Sequence, residues 1–370
     1  VGLVAYRHAA AAWVEAARDL APDDGPSTAM ARDAAHDAQH QLLEMERLVR
    51  PPSDTLYVAG AVPAGGDPVG RSVGGRLFDD YVMVDWSANS SPRTGRDSIW
   101  LARGSWTDGA LATPVPTNPA TRAEAMAQIH AVVTACLGAG RRLLLGFDFP
   151  LAYPAGLTAL FPGVFGPGPP WRAVWRTLAE RIEDKADNAN NRWDVATELN
   201  RATGHRLFWG CPEGVANPSL GTKDKPLTGL AERPPHLATF RLTERRAQGV
   251  GGSIQSVWKL AYAGSVGSQA LLGIPHLEAL RTDFEGRVGV WPLETGLGGS
   301  APVTVAEIWP TIFPVDLGRH PVRDAAQVMT VVDHVAGADA AGELAAWLAP
   351  ALDPDSAGPV AEEGWILGVR

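Results

Sequence analysis

Residues 77–117 alternate between short apolar runs and polar turns in a way that predicts β-strands. The segment "DDYVMVDW" predicts a first strand at 81–85, "DSIWLARGSW" a second, and "ALATPVP" a third. Runs rich in β-branched and aromatic residues between turn residues are typical of strands. Their short separation favours antiparallel hairpins.

The next segments change period and then become fully apolar. "NPATRAEAMAQIHAVVTACLGAG" has helical spacing and ends in glycine, which predicts an amphipathic helix. "RRLLLGFDFP" then predicts a strand at 142–148 that is buried on both faces, as in parallel sheets. Three strands, a helix and a central strand form the beginning of a ribonuclease H-like domain.

The remaining chain completes this prediction. Residues 155–285 read as a large, mostly helical insertion, and "GRVGVWPLE" and "VTVAEIWPT" read as strands. Residues 321–352 predict one or two helices, and "EGWILGV" a last strand. Ahead of the domain, 1–50 predict a helical segment and 51–76 a linker rich in Pro and Gly. The predicted fold is therefore α/β, with a ribonuclease H-like mixed sheet flanked by helices at 77–370.

Composition narrows the class of protein. The chain has 370 residues, a formal net charge of −9 and 20% charged residues. This charge argues against non-specific nucleic-acid binding over the whole surface, because phosphate contacts need clustered Lys and Arg. Cys136 and Cys211 form neither a zinc motif nor a disulfide framework. No apolar run approaches a membrane span and no signal peptide is evident, so we expect a cytoplasmic protein.

Carboxylates end several of the predicted strands. Asp85 ends the first strand, Asp148 the central strand and Glu307 the strand at 303–307, while Asp333 and Asp339 lie on the following helix. Acids in apolar strands are unfavourable unless they are paired, hydrogen-bonded or bound to metal. Each one alone could simply end a turn. Together they predict a site for Mg²⁺ or Mn²⁺, which prefer oxygen ligands.

Five motifs in this order resemble the ribonuclease H-like proteins of the domain of unknown function 429 type. They are "YVMVDWSA", "GFDFPLAYP", "AEIWPT", "VDHVAGADAAGELAAW" and "EEGWILGV". The resemblance covers about 77–370 and implies catalytic and metal-binding roles for Asp85, Asp148, Glu307 and Asp339, with Asp333 as a competitor for the helix position. It fixes no reaction. Sequences of this kind are also loosely associated with molybdopterin or cobalamin synthesis, which the residues themselves do not support.

Four polar residues are candidates for binding an anionic substrate. Ser87 and Asn89 follow the first strand in "DWSANSSPRTG", while Arg241 and Lys259 belong to the insertion. Arg suits bidentate phosphate contacts and Lys acts as a point charge. The alternatives are a hydrogen-bonded turn for the first two, and an exposed helix with an Arg241–Glu244 ion pair for the insertion.

Three functions compete on these observations. The first is a metal-dependent phosphoester hydrolase or nuclease that acts on a nucleotide or nucleic-acid-like substrate. The second is an ATP-dependent phosphotransferase or ATPase of the actin–sugar-kinase type, in which the loop after Asp85 would hold phosphate. The third is a non-catalytic binding module, which is favoured if the acids are scattered or if one is paired with an Arg.

Overall fold

The fold is described by a computed structural model for residues 75–223, 229–248, 254–262 and 264–370. These residues belong to one compact unit, Gly65–Arg370. The predicted helical segment at 1–50 and nearly all of the predicted linker at 51–76 lie outside the described residues.

A mixed sheet forms the centre of the described chain, in the order β3-β2-β1-β5-β9-β8 with β4 paired to β2. Strand β1 is antiparallel to β2 and parallel to β5, and β5, β9 and β8 are mutually parallel. Two short strands, β6 and β7, pair separately in the insertion. The strands are β1 (Asp80–Asp85), β2 (Trp100–Thr107), β3 (Ala110–Leu111), β4 (Val115–Thr117), β5 (Leu143–Phe147), β6 (His205–Arg206), β7 (Ala231–Glu232), β8 (Val288–Val290) and β9 (Val303–Glu307).

Helices cover both faces of the sheet. Period-2 alternation sends Val82 and Val84 to one face, where α1, α3, α4 and α6 pack, and Tyr81 and Met83 to the other, where α7, α8 and α9 pack. The helices are α1 (Arg122–Gly138), α2 (Leu157–Leu160), α3 (Pro170–Arg181), α4 (Arg192–Thr203), α5 (Leu242–Arg246), α6 (Gly267–Asp283), α7 (Arg323–Ala340), α8 (Leu344–Leu348) and α9 (Ala357–Glu363). None of these helices combines the length and apolarity that a bilayer crossing requires. The predicted α/β class with a mixed sheet between helices is confirmed.

The predicted last strand at 363–369 is wrong. This segment makes a single bridge, between Ile366 and Glu307, and then turns away. Gly364 and Gly368 have φ values of 74° and 90°, which bend the backbone out of a strand path. The chain therefore ends as a short irregular segment beside β9.

Two glycines permit close packing around the end of β5. A Cβ on Gly273 of α6 would lie 2.2 Å from Cζ of Phe149, and a Cβ on Gly146 would lie 2.5 Å from Sδ of Met83. A real side chain at either position would force its neighbours apart. Gly273 therefore lets α6 of the insertion lie directly against the segment that carries Asp148.

Candidate functional site

Asp85 and Asp148 lie side by side at the carboxyl edge of the sheet. Strands β1 and β5 are parallel with Val84 opposite Phe147, so the residues that follow, Asp85 and Asp148, are neighbours. The Trp86 N–H donates to Oδ1 of Asp148 at 2.7 Å. Both carboxyl groups keep partial exposure to solvent, although the protein atoms around them remove most of their water.

This pair carries more negative charge than its surroundings neutralise. Burial and then the charge of Asp148 raise the pKa of Asp85 well above its ordinary value. Burial raises the pKa of Asp148 to about 7, against the lowering effect of the Trp86 N–H. Two carboxylates in contact cannot both ionise easily. We therefore expect the pair to hold a proton near neutral pH.

A third acid reaches this edge from the helix that follows β9. Asp324, in the first turn of α7, accepts a hydrogen bond from the Asp97 N–H at 2.9 Å. Its charge raises the pKa values of both Asp85 and Asp148, and burial raises its own pKa. Asp324 was not among the residues predicted from the sequence. Its position could have indicated it, because a helix that follows a strand begins near the sheet edge where that strand ends.

The two helix acids that the sequence predicted do not join this site. Asp339 accepts hydrogen bonds from the N–H groups of Leu77 and Phe78 and from the Tyr81 hydroxyl, at the opposite end of β1. It lies 15 residues beyond Asp324, which is roughly 22 Å along a helix. The prediction that Asp339 lies beside Asp85 is therefore wrong. Asp339 is a buried hydrogen-bond acceptor with a structural role.

Asp333 lies midway along α7 and also points elsewhere. It forms an ion pair with Arg319 and lines a cavity of about 320 Å³ together with His334, Thr330 and Asp316. Because Arg319 already neutralises it and it is two and a half turns from Asp324, Asp333 does not contribute to the carboxyl pair.

Glu307 ends its strand as predicted but is neutralised by a partner. Both of its oxygens accept from the Arg241 guanidinium, at 2.7 and 2.6 Å, and the Leu151 N–H donates a third bond at 3.1 Å. Arg241 is fully buried and also contacts Glu244. Burial raises the pKa of Glu307, while the charge of Arg241 opposes that rise. Arg241 is thus a structural counter-ion, which corrects its predicted contact with substrate, and it leaves Glu307 no free oxygen for a metal.

The predicted phosphate loop is closed on itself. Ser87 Oγ accepts from the N–H and the side-chain amide of Asn89, and that amide also donates to the Asp97 carbonyl at 2.7 Å. Arg122 Nη1 donates hydrogen bonds to the backbone carbonyl groups of Ser87 and Asn89. The turn interpretation therefore describes Ser87 and Asn89 better than a phosphate contact does.

Lys259 lies in the insertion, half-buried, and donates to the side chain of Gln255 at 2.8 Å. Burial and the charge of Lys223 lower its pKa. No contact of Lys259 with Asp85 or Asp148 is observed within the described ranges.

The donor set can be tested for its fit to a divalent cation. Among the described residues, no three His, Cys, Asp or Glu side chains are grouped to hold a metal ion. Mg²⁺, however, is commonly held by one or two carboxylates together with water and substrate phosphate. Asp85 and Asp148 form a partly exposed oxygen pair of this kind, and no cation of the described protein neutralises them. The residues present therefore fit a two-carboxylate site rather than the predicted ligand set.

Comparisons with protein-family models, with curated proteins and with solved structures find no match to this chain. The site must consequently be interpreted from its own geometry.

Proposed function

We propose that the chain is a metal-assisted phosphoester hydrolase with a ribonuclease H-like fold, centred on Asp85 and Asp148. The strand order, with an antiparallel β2 beside four parallel strands, supports this fold. The ordered resemblance of its motifs to domain of unknown function 429 proteins agrees with it. Mg²⁺ or Mn²⁺ is the proposed cofactor, and a nucleotide or nucleic-acid-like phosphoester the proposed substrate.

A single observation carries the proposal: at the carboxyl edge of the sheet, Asp85 and Asp148 are adjacent and form no ion pair with a described Lys, Arg or His. Asp80 is paired with Arg103 and Arg141, and Glu307 with Arg241. Asp85 and Asp148 have no such partner, and their pKa values are raised. Carboxyl groups with strongly raised pKa values and no ion-pair partner destabilise a fold, and such groups are concentrated at functional sites.

The residues have distinct roles in this proposal. Asp85 and Asp148 would bind the cation, and the Trp86 N–H fixes the orientation of the Asp148 carboxyl. Asp324 adds negative charge at the rim of the pair and is positioned by the Asp97 N–H. When bound, a divalent cation supplies charge neutralisation at the phosphoryl group and an acidified water. With a pKa of about 7 in the cation-free protein, Asp148 would lose its proton as the cation binds, so cation binding should weaken below neutral pH.

The direct test is hydrolysis of a substrate panel by the full chain. The panel contains bis(p-nitrophenyl) phosphate, nucleotides, single-stranded DNA, RNA and an RNA–DNA duplex, each with Mg²⁺, Mn²⁺ or EDTA. We expect cation-dependent cleavage that falls at least about 100-fold in Asp85→Asn and Asp148→Asn. Asp333→Asn is the matched control and should keep the activity within about twofold, because Arg319 already neutralises Asp333. No cleavage with either cation, or full activity in Asp85→Asn, would refute the proposal.

One observation favours the non-catalytic binding module as a second candidate. Glu307, one of the predicted ligands, is bound by Arg241. In that case Mg²⁺ would stabilise the wild-type chain against heat by mass action, and Asp85→Asn would lose this effect, without any turnover. The phosphotransferase alternative gains no support, because the N–H groups of Asn89, Gly95 and Asp97 in the loop after Asp85 already donate to protein oxygens.

A further inference from the structure

Arg192, at the beginning of α4, is a buried cation held only by neutral groups. Its side chain is 8% exposed. Nε donates to the Ser268 hydroxyl at 3.1 Å, and Nη1 donates to the Ser90 hydroxyl and to the amide oxygen of Asn190, at 2.9 and 2.7 Å. The guanidinium also stacks on Trp193. Buried charges are normally paired with an opposite charge, so this arrangement lacks an anion.

The surroundings of Arg192 are positive rather than neutral. Burial and the charge of Arg122 lower the pKa of Arg192 to about 10, and Asp184 offsets this only in part. Asp184 is occupied, because Arg122 binds both of its oxygens, at 2.5 and 2.7 Å, and His276 contacts it at 2.9 Å. Two guanidinium groups therefore share one carboxylate, which leaves one unit of positive charge.

One donor nitrogen of Arg192 remains available. Within the described ranges Nη2 donates to no protein group, and it is not among the completely buried side-chain atoms. It is therefore in a position to donate to a group that arrives from solvent. The first turn of α6, which contains Ser268, adds the positive end of a 17-residue helix to the same place.

This group lies near the carboxyl pair. Ser90 is five residues beyond Asp85 in the same loop. Gln269, next to Ser268, donates its side-chain amide to the carbonyl of Trp86, the residue that follows Asp85. The residues that contact Arg192 are therefore direct neighbours of the residues around Asp85, and a substrate at the carboxyl pair would lie close to Arg192.

We propose that Arg192, with the Ser90 hydroxyl, forms a binding site for a phosphate oxyanion. Nη2 of Arg192 and the Ser90 hydroxyl can both donate to phosphate oxygens, and the surplus charge is of the required sign. The Ser268 hydroxyl donates to the Leu260 carbonyl at 2.6 Å and therefore only orients Arg192. Its use as a substrate subsite, holding a phosphoryl group next to the one that is cleaved, rests on the proposed hydrolase function. Binding of the anion itself does not depend on that function.

The test measures inorganic phosphate binding by calorimetry and by thermal unfolding, in EDTA and at constant ionic strength with chloride as the reference. We expect saturable binding to the wild-type chain and at least tenfold weaker binding to Arg192→Gln. Arg201→Gln is the matched control, because Arg201 is exposed on the same helix and its side chain donates to the Ser219 hydroxyl. It should bind phosphate as the wild type does. Asp85→Asn should also retain phosphate binding.

Stability without phosphate distinguishes an anion site from a structural role. Removing an uncompensated buried cation should leave the melting temperature of Arg192→Gln equal to or above that of the wild type. Absence of phosphate binding by the wild type, equal binding by Arg192→Gln, or a melting temperature several degrees lower in that variant would each overturn the proposal. If phosphate binds through Arg192 but no phosphoester is cleaved, the anion site stands and the hydrolase function fails.

Discussion

Strands β5 and β9 lie next to each other, end at the same sheet edge in an acid, and give those acids opposite surroundings. Phe147, which precedes Asp148, is in register with Glu307. Glu307 receives a bidentate guanidinium from Arg241, whereas Asp148 receives one backbone N–H and the charge of Asp85. The same sequence pattern thus yields a neutralised structural acid on one strand and a proton-holding acid on the next. What decides between them is the counter-ion, which arrives from a distant segment.

Asp339 is a third case, held by neutral hydrogen-bond donors. Neutral donors from Leu77, Phe78 and Tyr81 surround its carboxylate. The pattern of an acid beside an apolar run therefore does not indicate chemistry unless the partner of that acid is known. Variants that alter the ion pair of Glu307, the neutral donors of Asp339 and the carboxyl pair of Asp148 should therefore have different effects.

The largest effect is expected when the Glu307 counter-ion is removed. Arg241→Met leaves Glu307 and Glu244 buried without compensation, so we expect a loss of about 3–5 kcal/mol in the free energy of unfolding. Urea denaturation measures it. Arg246→Met on the same helix, where the Arg pairs with Asp353 near the surface, should change stability by no more than about 0.5 kcal/mol. A loss below about 1 kcal/mol in Arg241→Met would mean that Glu307 is not held as described.

The next effect concerns the acid that neutral donors satisfy. Asp339→Asn places an amide donor against the Tyr81 hydroxyl or a backbone N–H, and we expect a loss of about 1–3 kcal/mol in unfolding free energy. Cleavage per folded molecule should stay at the wild-type level, since Asp339 lies at the far end of β1. If Asp339→Asn lost as much activity as Asp85→Asn, Asp339 would have to be part of the functional site.

A pH-dependent effect is expected for the acid pair. The folded-state pKa values of Asp85 and Asp148 are above the ordinary value, so between about pH 4 and pH 7 the folded state binds more protons than the unfolded chain. Unfolding free energy therefore falls as pH rises through this range. Asp148→Asn keeps an oxygen for the Trp86 N–H and removes the repulsion, so it should gain on the order of 1–2 kcal/mol relative to the wild type between pH 5 and pH 8.

Urea unfolding of both proteins at the two pH values tests this expectation. Asp355→Asn, which removes an exposed carboxylate away from the pair, serves as the charge-matched control. A difference between Asp148→Asn and wild type that is the same at pH 5 and pH 8 would show that the two carboxyl groups are not a coupled buried pair.

The smallest effect is expected in the loop after Asp85. Asn89→Ala removes the hydrogen bonds to Ser87 and to the Asp97 carbonyl, which should lower unfolding free energy by about 0.5–1.5 kcal/mol. If the loop only closes a turn, KM for any cleaved phosphoester stays within about twofold of the wild-type value. A large rise in KM without loss of stability would instead support the predicted contact between Asn89 and substrate.

Local patterns in the sequence predicted the sheet and the first half of the site. Apolar runs specify β1 and β5, and parallel strands bring their ends together, which places Asp85 beside Asp148. Composition could not tell which acid of α7 lies near the pair, because Asp324, Asp333 and Asp339 differ only in their distance from the beginning of α7. Helix geometry selects the first of them.

The partners that arrive from far along the chain could not be predicted. Arg241 meets Glu307 across 66 residues of sequence, and no periodicity marks that contact. Its pairing with Glu244 was foreseen as an alternative, but on an exposed helix, whereas the pair is buried. Burial in a loop-rich insertion depends on how the whole segment folds back over the sheet, which single-residue patterns do not encode.

The Arg241–Glu307 contact also fixes the position of α5. Arg241 immediately precedes α5 and donates to both oxygens of Glu307 at the end of β9 and to the Glu363 carbonyl at the end of α9. Any movement of α5 away from the sheet would have to break these charge-assisted hydrogen bonds together. We therefore expect this part of the insertion to stay anchored to β9 while other segments of the insertion move.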